Sequence, residues 1–168
     1  LMNFILRPWR KTDIDSVAKY ANNKKIADNL RNAFPWPYTY EDARGYVTSC
    51  IEAGETRQCT RAIDVDGEAV GSIGIFLEED VYCKNAEIGY WLAEPFWGRG
   101  IMSAAIRQLT EAAFEHYDLA RIHAEPFAHN QGSRRALEKA GYTLEGTLKN
   151  RVFKNTEIFD SCLYAFTR

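Results

Sequence analysis

The sequence predicts an α+β (mixed α/β) fold in which about four helices flank a mostly antiparallel central sheet. Two observations lead to this fold class. Apolar residues recur at helical spacing early in the chain and change in its middle to the period of two that is typical of strands. Turn signals then separate the strands at short intervals. A length of 168 residues suits one hydrophobic core, so we expect residues 1–168 to form a single domain.

Composition and charge narrow the class of partner. The net charge is -2 and no apolar run is long enough to span a bilayer, so we expect neither nucleic acid nor a membrane as partner. Arg7 and Pro8 interrupt the first apolar stretch, so the chain shows no signal-peptide pattern and we expect a cytoplasmic protein. The cysteines form no CxxC pair and lie at no metal-ligand spacing from a histidine. We therefore expect reduced thiols and no metal.

The first elements are a strand and two helices. Residues 4–9 are apolar enough for an opening strand. The segments 12–15 and 39–42 both have the pattern Thr-x-x-Asp, which is typical of a capping box, so each predicts the start of a helix. Between them, the two prolines of segment 34–38 keep it out of a helix.

The middle of the chain predicts strands. Residues 59–65 and 69–77 flank an Asp-Gly pair at 66–67, which is a strong signal for a hairpin turn. Residues 85–92 alternate between two faces and predict a further strand, which Pro95 terminates.

The remainder predicts two helices and three strands. A helix over 101–116 joins the strand before it to a short strand over 121–125, and this connection predicts a parallel crossover. A helix over 133–140 follows and ends at a glycine. Strands over 147–153 and 158–166 then form a terminal hairpin.

A glycine turn opens the helix over 101–116. Gly98 and Gly100 lie where a strand has ended, and the first N–H groups of a helix favour an anion, so the turn is a candidate phosphate site. A tight turn that binds nothing is the alternative. A dinucleotide fingerprint fits poorly, because Ser103 occupies the place of its third glycine and two helices and a hairpin precede the motif. A P-loop is excluded, because no Gly-Lys-Ser/Thr follows.

Five motifs in order resemble those of the GNAT acetyltransferase superfamily, and more narrowly its Rim-type branch of ribosomal-protein N-terminal acetyltransferases. They are FPWPYTYEDA at 34–43, NAEIGYWL at 85–92, FWGRGIM at 96–102, NQGS at 130–133 and EKAGY at 138–142. The resemblance implies acetyl-CoA as donor and a sheet that is splayed at the acetyl-CoA site. Trp97 and Met102 depart from the general superfamily pattern, whereas Rim-like sequences often carry such residues.

The resemblance also implies which residues bind CoA. The turn would hold the pyrophosphate through backbone N–H groups, the end of the preceding strand would pair with the pantetheine arm, and Asn130 and Ser133 would lie beside that arm. The remaining residues of this set are Tyr90, Trp91, Leu92, Trp97, Gly98, Arg99, Gly100, Ile101, Met102 and Ser103. A helix cap is the alternative role for Asn130.

The chemistry of amine acetylation needs a base, an oxyanion site and an acid. Glu87 resembles the glutamate that serves as base in Rim-like enzymes; a solvent-facing glutamate is the alternative. Backbone N–H groups near Tyr90 or Trp91 would meet the oxyanion. Leu137 occupies the position of the family's tyrosine acid, so Tyr90, Ser133 or a water would protonate the sulfur, or the thiolate would leave unassisted, with Tyr142 as a weaker option for the acid.

The acceptor is least defined. Asn29, Trp36 and Tyr38 lie in the segment that borders the acceptor cleft in the family, although the rings can equally close the core. We expect the α-amine of a peptide or protein N-terminus as acceptor; a small amine, such as an antibiotic or metabolite, and a non-catalytic CoA sensor are the alternatives. The histidines at 116, 123 and 129 are scattered and predict structural or surface roles. The chain is expected to be a monomer or a homodimer.

Overall fold

The computed structural model describes residues 3–168. Within this range, seven strands form one sheet in the order β1-β2-β3-β4-β5-β7-β6. The strands are β1 (Ile5–Arg7), β2 (Gln58–Val65), β3 (Glu68–Leu77), β4 (Asn85–Leu92), β5 (Arg121–Ala124), β6 (Thr143–Lys154) and β7 (Glu157–Thr167). β5 pairs with β7, β6 with β7 and β1 with β2 in antiparallel fashion, whereas β4 and β5 are parallel. The predicted mixed sheet and its parallel crossover are confirmed.

Residues 3–168 contain five α-helices, one more than expected. They are α1 (Ile14–Ala21), α2 (Lys24–Ala27), α3 (Tyr40–Ala53), α4 (Ile101–His116) and α5 (Gln131–Lys139). The additional element, α2, is a single turn that the sequence pattern did not predict. None of these described helices combines the length and the apolarity that crossing a membrane would require.

The chain forms two compact units. One consists of Leu1–Ile75 with Gly89–Ile101, and the other of Phe76–Ile88 with Met102–Arg168. The divisions along the chain fall within β3, within β4 and directly after the first residue of α4. The single domain over 1–168 stays a prediction.

The first unit has its core between α1, α3 and the adjoining strands. Val17 of α1 and Ala43 and Val47 of α3 are fully buried there, together with Trp9 and Trp91. The spacing of these helical residues explains the burial, since positions three and four apart face the same side of a helix. The core therefore fixes the end of β4 through the ring of Trp91.

One of the two predicted capping boxes is wrong. α1 begins at Ile14, and the carboxylate of Asp13 accepts the backbone N–H of Arg10 at 2.8 Å, so Thr-x-x-Asp at 12–15 does not cap the helix. The second box is confirmed. The side chains of Thr39 and Asp42 each accept the backbone N–H of the other, at 3.1 and 2.8 Å, at the start of α3.

Asp13 belongs to a buried ion cluster in the first unit, formed by Arg7, Asp13 and Asp64. The guanidinium of Arg7 donates to Asp64 Oδ2 at 2.6 Å and to both carboxylate oxygens of Asp13 at 2.8 and 2.9 Å. Burial acts to raise the pKa of Asp13, but hydrogen bonds from Arg7 and from the Arg10 backbone lower it below its ordinary value. This cluster explains why the carboxylate of Asp13 is directed inward at the start of α1.

The second unit packs α4 and α5 against the strands that follow. Ile106 of α4, Leu137 of α5, Ile122 of β5 and Tyr164 of β7 are all fully buried. Gly141 follows α5 with φ 96°, a left-handed conformation that favours glycine after a helix end. α4 and α5 are therefore firmly packed against the strands of this unit.

Candidate active site

The glycine turn connects the end of β4 to α4. Gly98 and Gly100 have φ values of 72° and 77°, in the left-handed region that other residues rarely adopt. No heavy atom of the described residues lies within 4 Å of a Cβ built at Gly98, so the backbone conformation rather than crowding calls for glycine there. The turn thus has open space beside its backbone, and its two glycines adopt a left-handed conformation. A ligand can therefore approach this backbone closely.

Two side chains hold this turn to the residues before it. The indole N–H of Trp97 donates to the carbonyl oxygen of Leu92 at 2.7 Å. Nε of Arg99 donates to the carbonyl oxygen of Pro95 at 3.3 Å. Trp97 therefore has a structural function that the family pattern did not reveal, and the guanidinium of Arg99 folds back toward the turn that it belongs to.

The N-terminus of α4 suits an anion. The helix has 16 residues, and its first turn, 101–104, is Ile-Met-Ser-Ala, so no carboxylate competes for the N–H groups there. Ile101 is buried, whereas Met102 and Ser103 are half-buried. These residues fit a pyrophosphate held by backbone N–H groups, because no particular side chain is needed for that contact.

The side chains at the end of β4 differ in burial. Trp91 packs edge-on against Phe34 with the ring centroids 6.0 Å apart, and Leu92 is buried, whereas Tyr90 is half-buried. A Cβ built at Gly71 would lie 2.6 Å from the carbonyl oxygen of Trp91, so only glycine permits this approach of β3. The backbone of 90–92 is consequently held in place by the first unit.

Asn130 caps α5. Its Oδ1 accepts the backbone N–H of Ser133 at 3.3 Å, which is the alternative role that the sequence left open. The Nδ2 group is the part of this side chain that contact with CoA would use. Ser133 is half-buried in the first turn of the same helix.

The positions considered for the acid differ in their surroundings. Leu137 is fully buried in the second unit. Tyr142 is also buried, its hydroxyl hydrogen-bonds Thr110 at 2.7 Å, and burial raises its pKa. The structure thereby gives Tyr142 the role of filling the core, and leaves Tyr90, Ser133 and water as the groups considered for the acid.

The three residues considered for the acceptor do not share one environment. Trp36 is 49% exposed. Tyr38 is buried in the core of the first unit against Phe34, with ring centroids 4.9 Å apart, and burial raises its pKa. Asn29 donates from Nδ2 to the carbonyl oxygen of Lys25 at 3.2 Å. Core filling, the alternative for these rings, therefore describes Tyr38 but not Trp36.

A carboxylate–histidine cluster, formed by Glu78, Glu87 and His123, lies in the second unit. Nε2 of His123 is 3.6 Å from Oε1 of Glu78 and 3.8 Å from Oε2 of Glu87. The sequence did not predict it, since His123 was taken as structural and Glu78 was not considered. The one signal in the sequence is the predicted parallel pairing of 85–92 with 121–125. That prediction does not say which residues of the two strands lie opposite each other.

Metal ligands and disulfides are absent from the part of the chain that the structure describes. No three His, Cys, Asp or Glu side chains are grouped there as a metal site. The cysteines at 50, 59, 83 and 162 are free thiols.

The comparisons with known proteins show which family the chain belongs to. A family model for the acetyltransferase (GNAT) domain matches residues 3–143, so the chain belongs to the GNAT acetyltransferase family.

Relatives place the chain in the Rim-type branch of that family. It is 38% identical over 140 residues to the ribosomal-protein-serine acetyltransferase of Escherichia coli K12, covering 81% of this chain and 78% of that protein. It is 27% identical to Mycobacterium smegmatis RimJ in complex with CoA-disulfide, with a TM-score of 0.85 over 98% of this chain and 81% of that one. RimL, a ribosomal L7/L12 α-N-protein acetyltransferase in complex with CoA, has a TM-score of 0.86 at 24% identity over 99% of this chain and 95% of its own, which shows the shared fold.

These findings confirm the predicted fold class, family and branch. The protein is an acetyl-CoA-dependent N-acetyltransferase, and acetyl-CoA is its co-substrate.

Proposed function

We propose that the protein transfers the acetyl group of acetyl-CoA to the α-amine of a peptide or protein N-terminus. The observation that carries this proposal is the 38% identity to an enzyme named for acetylating a serine of a ribosomal protein. The exposed ring of Trp36, in the segment that the family resemblance assigns to the acceptor cleft, offers an apolar contact to the first residues of such a peptide.

The donor is bound, in this proposal, mainly by backbone groups. N–H groups of residues 98–103 bind the pyrophosphate, and the backbone of 90–92 pairs with the amides of the pantetheine arm as an added strand would. The positive φ values of Gly98 and Gly100 support the first contact, and the close packing of Gly71 behind Trp91 supports the second. Nδ2 of Asn130 is the proposed donor to the CoA arm.

Glu87 is the proposed base. A peptide α-amine has a pKa near ~8 and is partly neutral at pH 7, whereas a lysine amine, near ~10.4, needs roughly 3 kcal/mol more to lose its proton. One half-buried carboxylate, acting directly or through a water, is a sufficient base for the α-amine. Backbone N–H groups near Tyr90 or Trp91 stabilise the oxyanion in this proposal. The sulfur then takes its proton from Tyr90, Ser133 or water.

A thiol-release assay tests the choice of acceptor. A peptide with a free N-terminal serine is compared with the same peptide blocked at its N-terminus and carrying one free lysine, and with small amines. We expect CoA release with the free N-terminus and little with the others. Turnover of a small amine alone would replace the proposal by small-molecule acetylation, and acetyl-CoA binding without release on any acceptor would leave a CoA sensor.

The proposed binding of the pyrophosphate by the glycine turn is tested separately. Gly98→Ala forces an alanine into a left-handed conformation at a cost of roughly 1–2 kcal/mol, so we expect weaker acetyl-CoA binding in calorimetry. Gly45→Ala is the matched control, because Gly45 lies in α3 with open space around its Cβ position in the described structure. If both variants bound acetyl-CoA with the affinity of the wild type, the turn would not belong to the donor site.

A further inference from the structure

His123 lies beside the proposed base. Glu87 and His123 are Cα partners in the parallel pairing of β4 with β5, so their side chains leave the same face of the sheet. Glu78, which directly follows β3, reaches the same imidazole. One ring nitrogen, Nε2, thus faces two carboxylates at 3.6 and 3.8 Å.

Both carboxylates of this cluster are more exposed than the imidazole. The side chain of His123 is 18% exposed, that of Glu87 is 29% exposed and that of Glu78 is 37% exposed. Both distances exceed a direct hydrogen bond, and a small side-chain rotation or one bridging water closes each of them. The imidazole is therefore within proton-transfer reach of Glu87 and borders on water.

We propose that His123 is a positioning residue for Glu87 and takes over the proton that this carboxylate removes from the acceptor amine. The inference rests on the proposed role of Glu87 as base. It gives a function to an imidazole whose neighbours, two carboxylates on one nitrogen, are unusual for a residue that only fills space.

The proton has a complete route in this scheme. The amine nitrogen bonds to the thioester carbonyl carbon, the C–S bond breaks, and the electron pair leaves with the sulfur, which takes a proton from the acid. The proton lost by the amine passes to Glu87 and then to Nε2 of neutral His123. The imidazolium releases it to water, so that Glu87 is ionised again for the next acceptor.

The surrounding charges favour a transient imidazolium. Glu78 and Glu87 face it directly and stabilise its positive charge. Arg121, two residues earlier on β5, is engaged by both carboxylate oxygens of Glu145 at 2.8 and 2.6 Å, so that this pair neutralises itself.

His123→Gln and His123→Gly test the inference, with His116→Gln as the control at an exposed position of α4. We expect His123→Gln to lower kcat by about 10- to 100-fold, the lower part of the range for proton-transfer groups, with unchanged KM and acetyl-CoA affinity. The pH profile of kcat should differ in shape between His123→Gln and wild type, because the imidazole takes part in the route of the proton. Imidazole in the buffer should restore His123→Gly, while His116→Gln should match wild type.

The outcomes separate this inference from the proposed function. A slow Glu87→Gln together with a His123→Gln that matches wild type overturns the role of His123 and leaves the base in place. A slow His123→Gly that imidazole does not restore, together with a wild-type pH profile of kcat in His123→Gln, also overturns it. If His123→Gly does not fold, the pH profile of kcat in His123→Gln decides. A Glu87→Gln that turns over normally overturns the base and this inference with it.

Discussion

The two charged clusters of this protein differ in how closely their members approach. In the buried ion cluster, Arg7 reaches Asp13 and Asp64 at 2.6 to 2.9 Å, and all three side chains are at most 7% exposed. In the carboxylate–histidine cluster, the imidazole nitrogen is 3.6 and 3.8 Å from its carboxylates, and the side chains are 18% to 37% exposed.

The difference distinguishes a cluster that stabilises the fold from a cluster that is suited to proton transfer. In the buried ion cluster each charge has a direct partner and little water, so loss of one partner leaves a costly buried charge. In the carboxylate–histidine cluster the longer distances and the access to water permit the gain and loss of a proton without disturbing the fold. We therefore expect substitutions in the first to change stability, and substitutions in the second to change turnover.

Arg7→Met should have the largest effect on stability. It leaves Asp13 and Asp64 buried without their cation, for which we expect a loss of about 3–5 kcal/mol in the free energy of unfolding. Urea unfolding followed by circular dichroism measures it. A loss below about 1 kcal/mol would mean that the cluster behaves like a surface ion pair.

Acid should weaken the wild type through Asp13. Its pKa is lowered in the folded state, so its contribution is present above the ordinary carboxyl value near ~3.9 and is lost as the pH falls through the folded-state value. Asp13→Asn should be less stable at neutral pH but lose less stability between pH ~5 and ~2. Unfolding curves across this range give the comparison, and parallel curves for the two proteins would contradict the assignment.

Arg44→Met should have a much smaller effect than Arg7→Met. Arg44 pairs with Glu41 three residues earlier on α3 at 2.6 Å, and both side chains are mostly exposed. We expect a change of about 0.5 kcal/mol or less in the free energy of unfolding, as is usual for such helix pairs. If Arg44→Met lowered the free energy of unfolding as much as Arg7→Met does, burial would not be what distinguishes the two ion pairs.

Glu78→Gln and His123→Gln should likewise have only a small effect on stability. Both residues are partly exposed and make no contact shorter than 3.6 Å within the carboxylate–histidine cluster. We expect changes within about 0.5 kcal/mol, the range of ordinary surface substitutions. The same urea experiment decides, and a loss of several kcal/mol for either variant would make this cluster structural.

The strand and helix beside the donor site were predictable from local signals. Alternation and a terminating proline defined β4 as Asn85–Leu92, and the glycine turn with helical spacing defined α4 as Ile101–His116, both as the structure has them. The single-turn α2 was missed, because four residues carry too little periodicity. The cap at 12–15 was predicted wrongly, because a pattern of residue types does not show that Arg7 binds Asp13 and, 57 residues further along the chain, Asp64.

The candidate site was predictable only in part. The glycines at 98 and 100 and the asparagine at 130 carry motifs that can be read along the chain. The grouping of His123 with Glu78 and Glu87 depends on which strands are neighbours and in what register, and a pattern of single strands does not contain that information. The burial of Tyr38 likewise follows from packing against Phe34.

The turnover of Glu87→Gln tests the central claim most directly. The variant removes the basic carboxylate but keeps its shape, and Glu41→Gln, in an exposed ion pair of α3, is its control. With acetyl-CoA binding measured by calorimetry and CoA release measured on a free N-terminal peptide, we expect unchanged affinity and a rate reduced by about 100-fold or more for Glu87→Gln alone. Release at the wild-type rate would contradict the account.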